Sequence, residues 1–317
     1  MRAQEMMQAF YSQLGEQGYK GEIVAIEHLP ELSAEIETRW QRGEFTKDIQ
    51  EYLPPFPYHG PETLPDAKSI IIVAAPQPQF QVRFHINGST FPVTIPPTYL
   101  LYTDRQVSTL LDRLLTPEGY HFARAKLPQK LLAVRSGLAQ YGKNNISYIP
   151  GMGSFYRLIV FYSDFPCVED HWGEVQAMEC CSTCSICSKS CPTGAIDPER
   201  FLLHAERCLT LKNESSGEFP AWIESTSHNS LIGCMHCQSV CPANKDVVRH
   251  VEKREEFSHE ETTLLVQGVS KTELPATTRQ KLEHLDIIES NYFDVLSRNL
   301  TVLLENQKPL PVVDYAT

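Results

Sequence analysis

The sequence predicts a mixed fold of class α+β/α/β: an N-terminal α/β domain, a cysteine-rich insert and a short C-terminal helical unit. Three observations carry this. Helical and strand-like apolar patterns alternate over the first half of the chain. Eight of the ten cysteines fall between Cys181 and Cys241. Beyond His250 the apolar residues return to helical spacing. The expected boundaries are 1–166, 167–250 and 251–317.

The elements follow in order. The chain opens on an amphipathic helix with Met6, Phe10 and Leu14 on one face and Gly18 placed to end it. A strand is expected at about 22–26, and Pro54, Pro55 and Pro57 mark an irregular connection. Ser69 to Ala75 is short, continuous and β-branched, bounded by Pro76, and reads as a central buried strand. Gln77 to Pro97 shows no clear period, which suggests a long surface excursion or a hairpin. Asp104 offers an N-cap for a helix with Val107, Leu110, Leu111 and Leu114 as its core stripe. A helix from Pro128 to Gly137 and a buried strand from Leu158 to Tyr162 complete the first domain. In the cysteine-rich segment Asp197-Pro198 is expected to open a helix carrying Cys208 at its far end. Tyr292, Phe293, Leu296, Leu300, Leu303 and Leu304 read as core positions of the last unit.

The 317 residues suffice for a full core, and 42% hydrophobic against 21% charged is an ordinary globular balance. The longest apolar run, Ile70 to Ala75, is strand length, so no membrane span is expected. The N-terminus lacks the basic and apolar regions of a signal peptide, which points to a cytoplasmic protein whose thiols stay reduced. A net charge of -11 argues against a nucleic-acid partner, because such binding rests on Lys and Arg neutralising phosphates.

Cys181, Cys184, Cys187 and Cys191 precede Pro192; Cys208 follows; Cys234, Cys237 and Cys241 precede Pro242. This is the double iron-sulfur pattern C-x2-C-x2-C-x3-C-P, in which the fourth cysteine of a run ligates the other cluster. Cys181, Cys184, Cys187 and Cys241 then hold one [4Fe-4S] cluster, and Cys191, Cys208, Cys234 and Cys237 the second. Structural zinc is the plainer alternative, since four thiolates at such spacings also suit a tetrahedral ion. The C-x2-C-x2-C string and the two prolines weigh against it. Cys167 and Cys180 exceed the ligand count and read as a packed thiol and a bystander, although Cys180 can replace Cys181 in the register.

Ala133-Val134-Arg135-Ser136-Gly137-Leu138-Ala139-Gln140-Tyr141-Gly142-Lys143-Asn144 resembles the A-x-x-[AS]-G-L-G-x-x-G-K-[NH] signature of the epoxyqueuosine reductase family. It lies upstream of the cysteine runs, as in that family, and Gly153-Ser154-Phe155 follows in the matching order. Glu206-Arg207-Cys208-Leu209 and Asp294 to Leu300, with its Arg298-Asn299 pair, are similar as well. The resemblance implies a cobalamin-binding-type α/β domain holding a base-off cobalamin, beside a ferredoxin-like insert with two [4Fe-4S] clusters. It implies cofactor contacts from Gly137, Leu138, Gly142, Lys143, Asn144 and Ser154, with Gly137 and Gly142 at φ > 0 for close approach. A helix C-cap is the plain alternative for Gly137. A low-potential donor resembling ferredoxin or flavodoxin would feed the clusters.

Two departures bear on the substrate. Where the family carries a V-D-S-A-P-like segment with its presumed proton-donating aspartate, this chain has Phe122 to Pro128 without a carboxylate. Where it carries R-Y-A-x-G-x-D-Y-H, this chain has Tyr99 to Asp104. Lys126, His121, Tyr102 and Tyr141 are substitute acids by conjecture, each more simply a surface or packing residue. HEAT-like helices of longer members do not follow the last unit here. The expectation is a cobalamin-dependent iron-sulfur reductase acting on something other than epoxyqueuosine in tRNA, with a small molecule as one candidate. The alternatives are an electron-transfer protein that reduces a corrinoid, its own or that of a partner corrinoid protein, and an epoxyqueuosine reductase with a relocated proton donor.

Overall fold

The structure, a computed structural model, describes residues 3–47, 49, 55–306 and 308–310, so Pro54 lies outside the described residues. The elements used below are, in chain order, α1 (Ala3–Glu16), β1 (Lys20–Ala25), α2 (Leu29–Gln41), β2 (Ser69–Pro76), β3 (Gln79–Ile86), β4 (Ser89–Ile95), α3 (Tyr102–Leu115), β5 (Phe122–Arg124), α4 (Gln129–Arg135) and β6 (Gln140–Tyr141). They continue with β7 (Ser147–Tyr148), β8 (Tyr156–Ser163), α5 (Ile186–Ser190), α6 (Leu209–Glu214), α7 (His236–Ser239), β9 (Val251–Phe257), α8 (His259–Val266), α9 (Ala276–His284) and α10 (Phe293–Asn306). The chain forms two compact units: Met1–Gln77, Leu101–Ser185 and Pro198–Leu202 make the first, and Pro78–Leu100, Ile186–Asp197 and Leu203–Thr317 the second. This division differs from the three consecutive segments 1–166, 167–250 and 251–317.

The first unit is built on a sheet of order β1-β2-β8-β5. Every pairing in it is antiparallel, so of the two classes expected this sheet is α+β. The unbroken apolar run of β2 has a direct cause, because both faces are covered. Ile70, Ile72 and Ala74 pack with Leu32 of α2 and Leu131 and Leu132 of α4, while Ile71, Val73 and Ala75 pack with Phe10 and Leu14 of α1 and Val107 and Leu111 of α3. Gly18, at φ 69, ends α1 as expected.

Asp104 does not cap α3. The helix starts at Tyr102 after Leu101, which places Asp104 in its first turn. There its carboxylate accepts from Arg157 and, at 2.7 Å, from Arg124, two guanidinium groups that outcompete a capping role. A carboxylate in the first turn also complements the helix dipole.

In the second unit Gln77 to Pro97 resolves into a hairpin, β3 against β4. Asn87 (φ 51) and Gly88 (φ 75) make its turn, a dipeptide that tolerates positive φ at both positions. The helical pattern expected right after His250 begins later, because Val251–Phe257 forms β9, parallel to β3. Phe257 is buried and stacks on Phe84 at 4.9 Å, while the charged residues between stay outward, as suits an edge strand. Ser258 and Glu261 then cap α8 reciprocally. α10 buries Leu296, Leu300 and Leu303, with Tyr292, Phe293 and Leu304 half-buried.

The expected helix from Asp197-Pro198 to Cys208 does not form. Residues 198–202 leave the cysteine-rich stretch for the first unit, where Arg200 donates to Glu44 O at 2.7 Å and Phe201 packs edge-on against Tyr141 at 5.3 Å. Cys208 instead sits at the N-cap of α6, in extended conformation.

Candidate functional site

All four residues assigned to the second cluster lie within the second unit: Cys191 after α5, Cys208 before α6, Cys234 before α7 and Cys237 inside it. Burial raises the thiol of Cys234 far above its usual range, and Cys208, Cys237 and Cys191 close by raise it further. Burial also raises Cys208, opposed by donation to its sulfur from the Thr210 amide and hydroxyl and the Leu211 amide. The Ala195 amide donates to Cys191 Sγ at 3.3 Å. The four cysteines are half-buried, with the thiols of Cys208 and Cys234 the ones shifted by burial; sulfurs this close are unfavourable as bare thiolates and favourable around a metal centre, and amide donors of this kind set a cluster's potential. Among the described residues no three His, Cys, Asp or Glu gather around a single ion.

Backbone needs follow the cysteines. A Cβ on Gly233, one residue before Cys234 and at φ +65, would stand 2.2 Å from Tyr99 Oη. Tyr99 in turn donates to Glu214. Of the residues assigned to the first cluster, Cys181 and Cys184 belong to the first unit and Cys187 and Cys241 to the second. Cys180 is exposed and Cys181 half-buried. Cys167 packs against the α1–α3 side of the sheet, its thiol raised to about 11 chiefly by burial.

The glycine signature forms a tight local structure in the first unit. Gly137, at φ 76, follows α4 as its C-cap turn. Gly142 does not have the expected positive φ; it is needed because a Cβ there would meet the Tyr148 ring at 2.6 Å. Asn144 is buried and donates to Tyr148 Oη at 2.8 Å, while Lys143 Nζ donates to Cys184 O at 2.6 Å. The Tyr141 amide donates to Gln176 O and the Met178 amide to Tyr141 O, both at 2.8 Å, which ties the signature to the chain entering the first cysteine run. Leu138 and Ser154 are buried.

Beside the signature, the first unit holds a cavity of about 960 Å³ walled by Trp40, Phe45, Phe56, Tyr58, Tyr141 and Phe201, with Glu37, Arg39 and Lys130 among its polar residues. Of the residues expected at a site, only Tyr141 is on this wall. Burial raises its hydroxyl pKa, so it remains a neutral phenol. Lys126 is exposed, His121 is exposed and pairs with Asp164 at 3.0 Å, and Tyr102 begins α3 half-buried. None of these three lines the cavity. The sequence reading missed most of the wall; its signal was the aromatic residues spaced through Pro55-Phe56-Pro57-Tyr58, taken for a mere connection.

Residues 180–244 match the 4Fe-4S double cluster binding domain, a span that takes in both Cys180 and Cys181. The epoxyqueuosine reductase of Bacillus subtilis (strain 168) is 32% identical over 121 residues, which is 38% of this chain and 30% of that protein. That of Leadbetterella byssophila is 29% identical over 185 residues, 57% of each. The chain thus matches less than two thirds of the length of these curated relatives. A crystal structure of epoxyqueuosine reductase with an epoxyqueuosine-modified tRNA-Tyr stem loop shares the fold, with a TM-score of 0.65 at 19% identity over 96% of this chain and 82% of that one.

Proposed function

We propose that the chain is a member of the epoxyqueuosine reductase family and a cobalamin-dependent reductase fed by two [4Fe-4S] clusters, acting on a small molecule. The observation that carries the reading is the set of neighbouring, half-buried cysteines Cys191, Cys208, Cys234 and Cys237, with amides aimed at the sulfurs of Cys191, Cys208 and Cys234. In this reading Cys181 (or Cys180), Cys184, Cys187 and Cys241 hold the other cluster.

The cavity suits a corrinoid. Its aromatic walls match the faces of a large conjugated ring, and its size is at the upper end for a small-molecule site. When bound, the clusters supply low-potential electrons and the corrinoid supplies cobalt redox chemistry. The chain's own residues have narrower tasks. Tyr141 shapes the wall next to the signature, Phe201 closes against it, and Arg39 sits 4.5 Å over the Phe201 ring to hold it in place. Lys143, on the Cys184 carbonyl, fixes the loop within the first cysteine run. Gly137, Leu138, Gly142, Asn144 and Ser154 act behind the wall by setting the path of the backbone. A ferredoxin- or flavodoxin-like donor is the electron source.

The small-molecule assignment rests on charge and on the acid that is missing. Net charge is -11, and Glu37 is the carboxylate among the described cavity residues. At 122–128 the chain offers Arg124, tied to Asp104. The second reading, reduction of epoxyqueuosine in tRNA, is favoured by the relative solved with a modified tRNA stem loop. Anaerobic turnover separates the two: the proposed reading expects no loss of epoxyqueuosine from modified tRNA with cluster-loaded protein and excess reductant, and turnover at an ordinary enzymatic rate would reverse it. Among the described residues no helix is long and apolar enough to cross a membrane.

A further inference from the structure

One wall residue of the cavity is unlike the rest. The Tyr58 ring packs on the α2–α4 side of the sheet core and 6.1 Å from Phe56, yet its hydroxyl oxygen is enclosed with no hydrogen-bond partner among the described residues. Other tyrosines of this unit are satisfied: Tyr156 donates to Ser147 Oγ at 2.8 Å, Tyr162 to Pro57 O at 3.4 Å and Tyr11 to Glu22 at 3.3 Å. The charged residues of the wall are engaged as well. Arg39 binds Glu35 at 2.7 Å and Glu44 at 2.9 Å, Glu37 accepts from Gln41 at 3.0 Å, and Lys130 reaches Asn145 O at 3.5 Å.

An enclosed hydroxyl without a partner is a standing cost in the free protein, and native chains keep few of them. Burial raises the Tyr58 pKa to about 12, so the group is a neutral donor at any physiological pH. A ligand with a carbonyl oxygen at that point would relieve the cost. Corrinoids carry such oxygens, as amide side chains around the rim of the ring.

We propose that the Tyr58 hydroxyl donates a hydrogen bond to a peripheral amide carbonyl of a corrinoid held in this cavity, an inference that rests on the corrinoid reading above. The test is an anaerobic titration of full-length, cluster-loaded protein with cob(II)alamin, followed by the base-on to base-off spectral change, in wild type and Tyr58→Phe. The same two proteins are compared without ligand for iron content and thermal midpoint. The substitution should weaken cob(II)alamin binding by up to about tenfold, the effect of one neutral hydrogen bond. It should leave the free protein at least as stable, because it removes an unsatisfied group. Weaker binding together with an undiminished midpoint supports the assignment. Equal binding by the two proteins overturns it while leaving the corrinoid reading in place. A lowered midpoint in the free variant also overturns it, by showing that the hydroxyl already has a structural partner. No spectral change with wild type overturns the corrinoid reading and this inference together.

Discussion

Gly233 shows how closely the backbone is fitted around the cysteines. Its φ of +65 excludes most side chains, and a Cβ would fall 2.2 Å from the buried Tyr99 hydroxyl. Gly233→Ala should therefore displace Cys234 and lower the iron content of the anaerobically prepared protein by about half, one cluster of two. Iron analysis against wild type checks this, and full loading would show that the turn tolerates the methyl group. Cys208→Ser should give the same loss without the strain. At this scale the double-cluster pattern over residues 180–244 was legible because the spacing of the cysteines is local and chemically narrow. The cavity was not: its wall joins stretches around Trp40, Tyr58, Lys130, Tyr141 and Phe201, and no single stretch has a pattern that marks it. The signature glycines fall between. Gly137 turns as expected, but Gly142 is reserved for the Tyr148 ring, a neighbour six residues on that sequence spacing does not reveal.

Among the elements, α10 does more than pack. Asn299 is buried and donates to both Asn213 O and Leu231 O at 2.8 Å, while Arg298 donates to Lys212 O at 2.9 Å and lies 3.9 Å over Phe219. The Arg298-Asn299 pair thus clamps α6, which Cys208 precedes, to the segment that leads into Cys234. Asn299→Ala should cost about 2–4 kcal/mol, since it removes two hydrogen bonds and strands two buried carbonyls; denaturant unfolding of the loaded protein measures it, and a loss below about 1 kcal/mol would argue against the clamp. His228 lies beside the same clamp, 3.0 Å from Asn213 Oδ1, and its pKa falls to about 4, first through burial and then through the Arg298 charge. A depressed folded pKa means that the unfolded chain protonates first. Stability should therefore be full above about pH 6.5 and fall on acidification toward pH 4, and His228→Gln should flatten that fall. Measuring unfolding midpoints across this window tests it. Among the elements themselves, β2 and β8 could be read because a strand covered on both faces is apolar throughout. β9 could not, since Val251 to Phe257 is mostly charged and owes its pairing to β3, more than 160 residues earlier in the chain.

For the whole molecule, the sequence order suggested three consecutive segments, whereas the chain forms two interleaved units, with cysteines in both and the aromatic cavity in the first. Residues 78–100 and 198–202 each leave the unit of their chain neighbours for the other. Such exchanges depend on long-range packing, which periodicity does not encode. The central proposal, that this chain carries two [4Fe-4S] clusters as its electron supply, is tested most directly by counting iron and acid-labile sulfide in anaerobically purified protein. The account predicts about eight of each per chain, with two reducible clusters by electron paramagnetic resonance. Zinc at about one ion per four-cysteine site, with no labile sulfide, would contradict it.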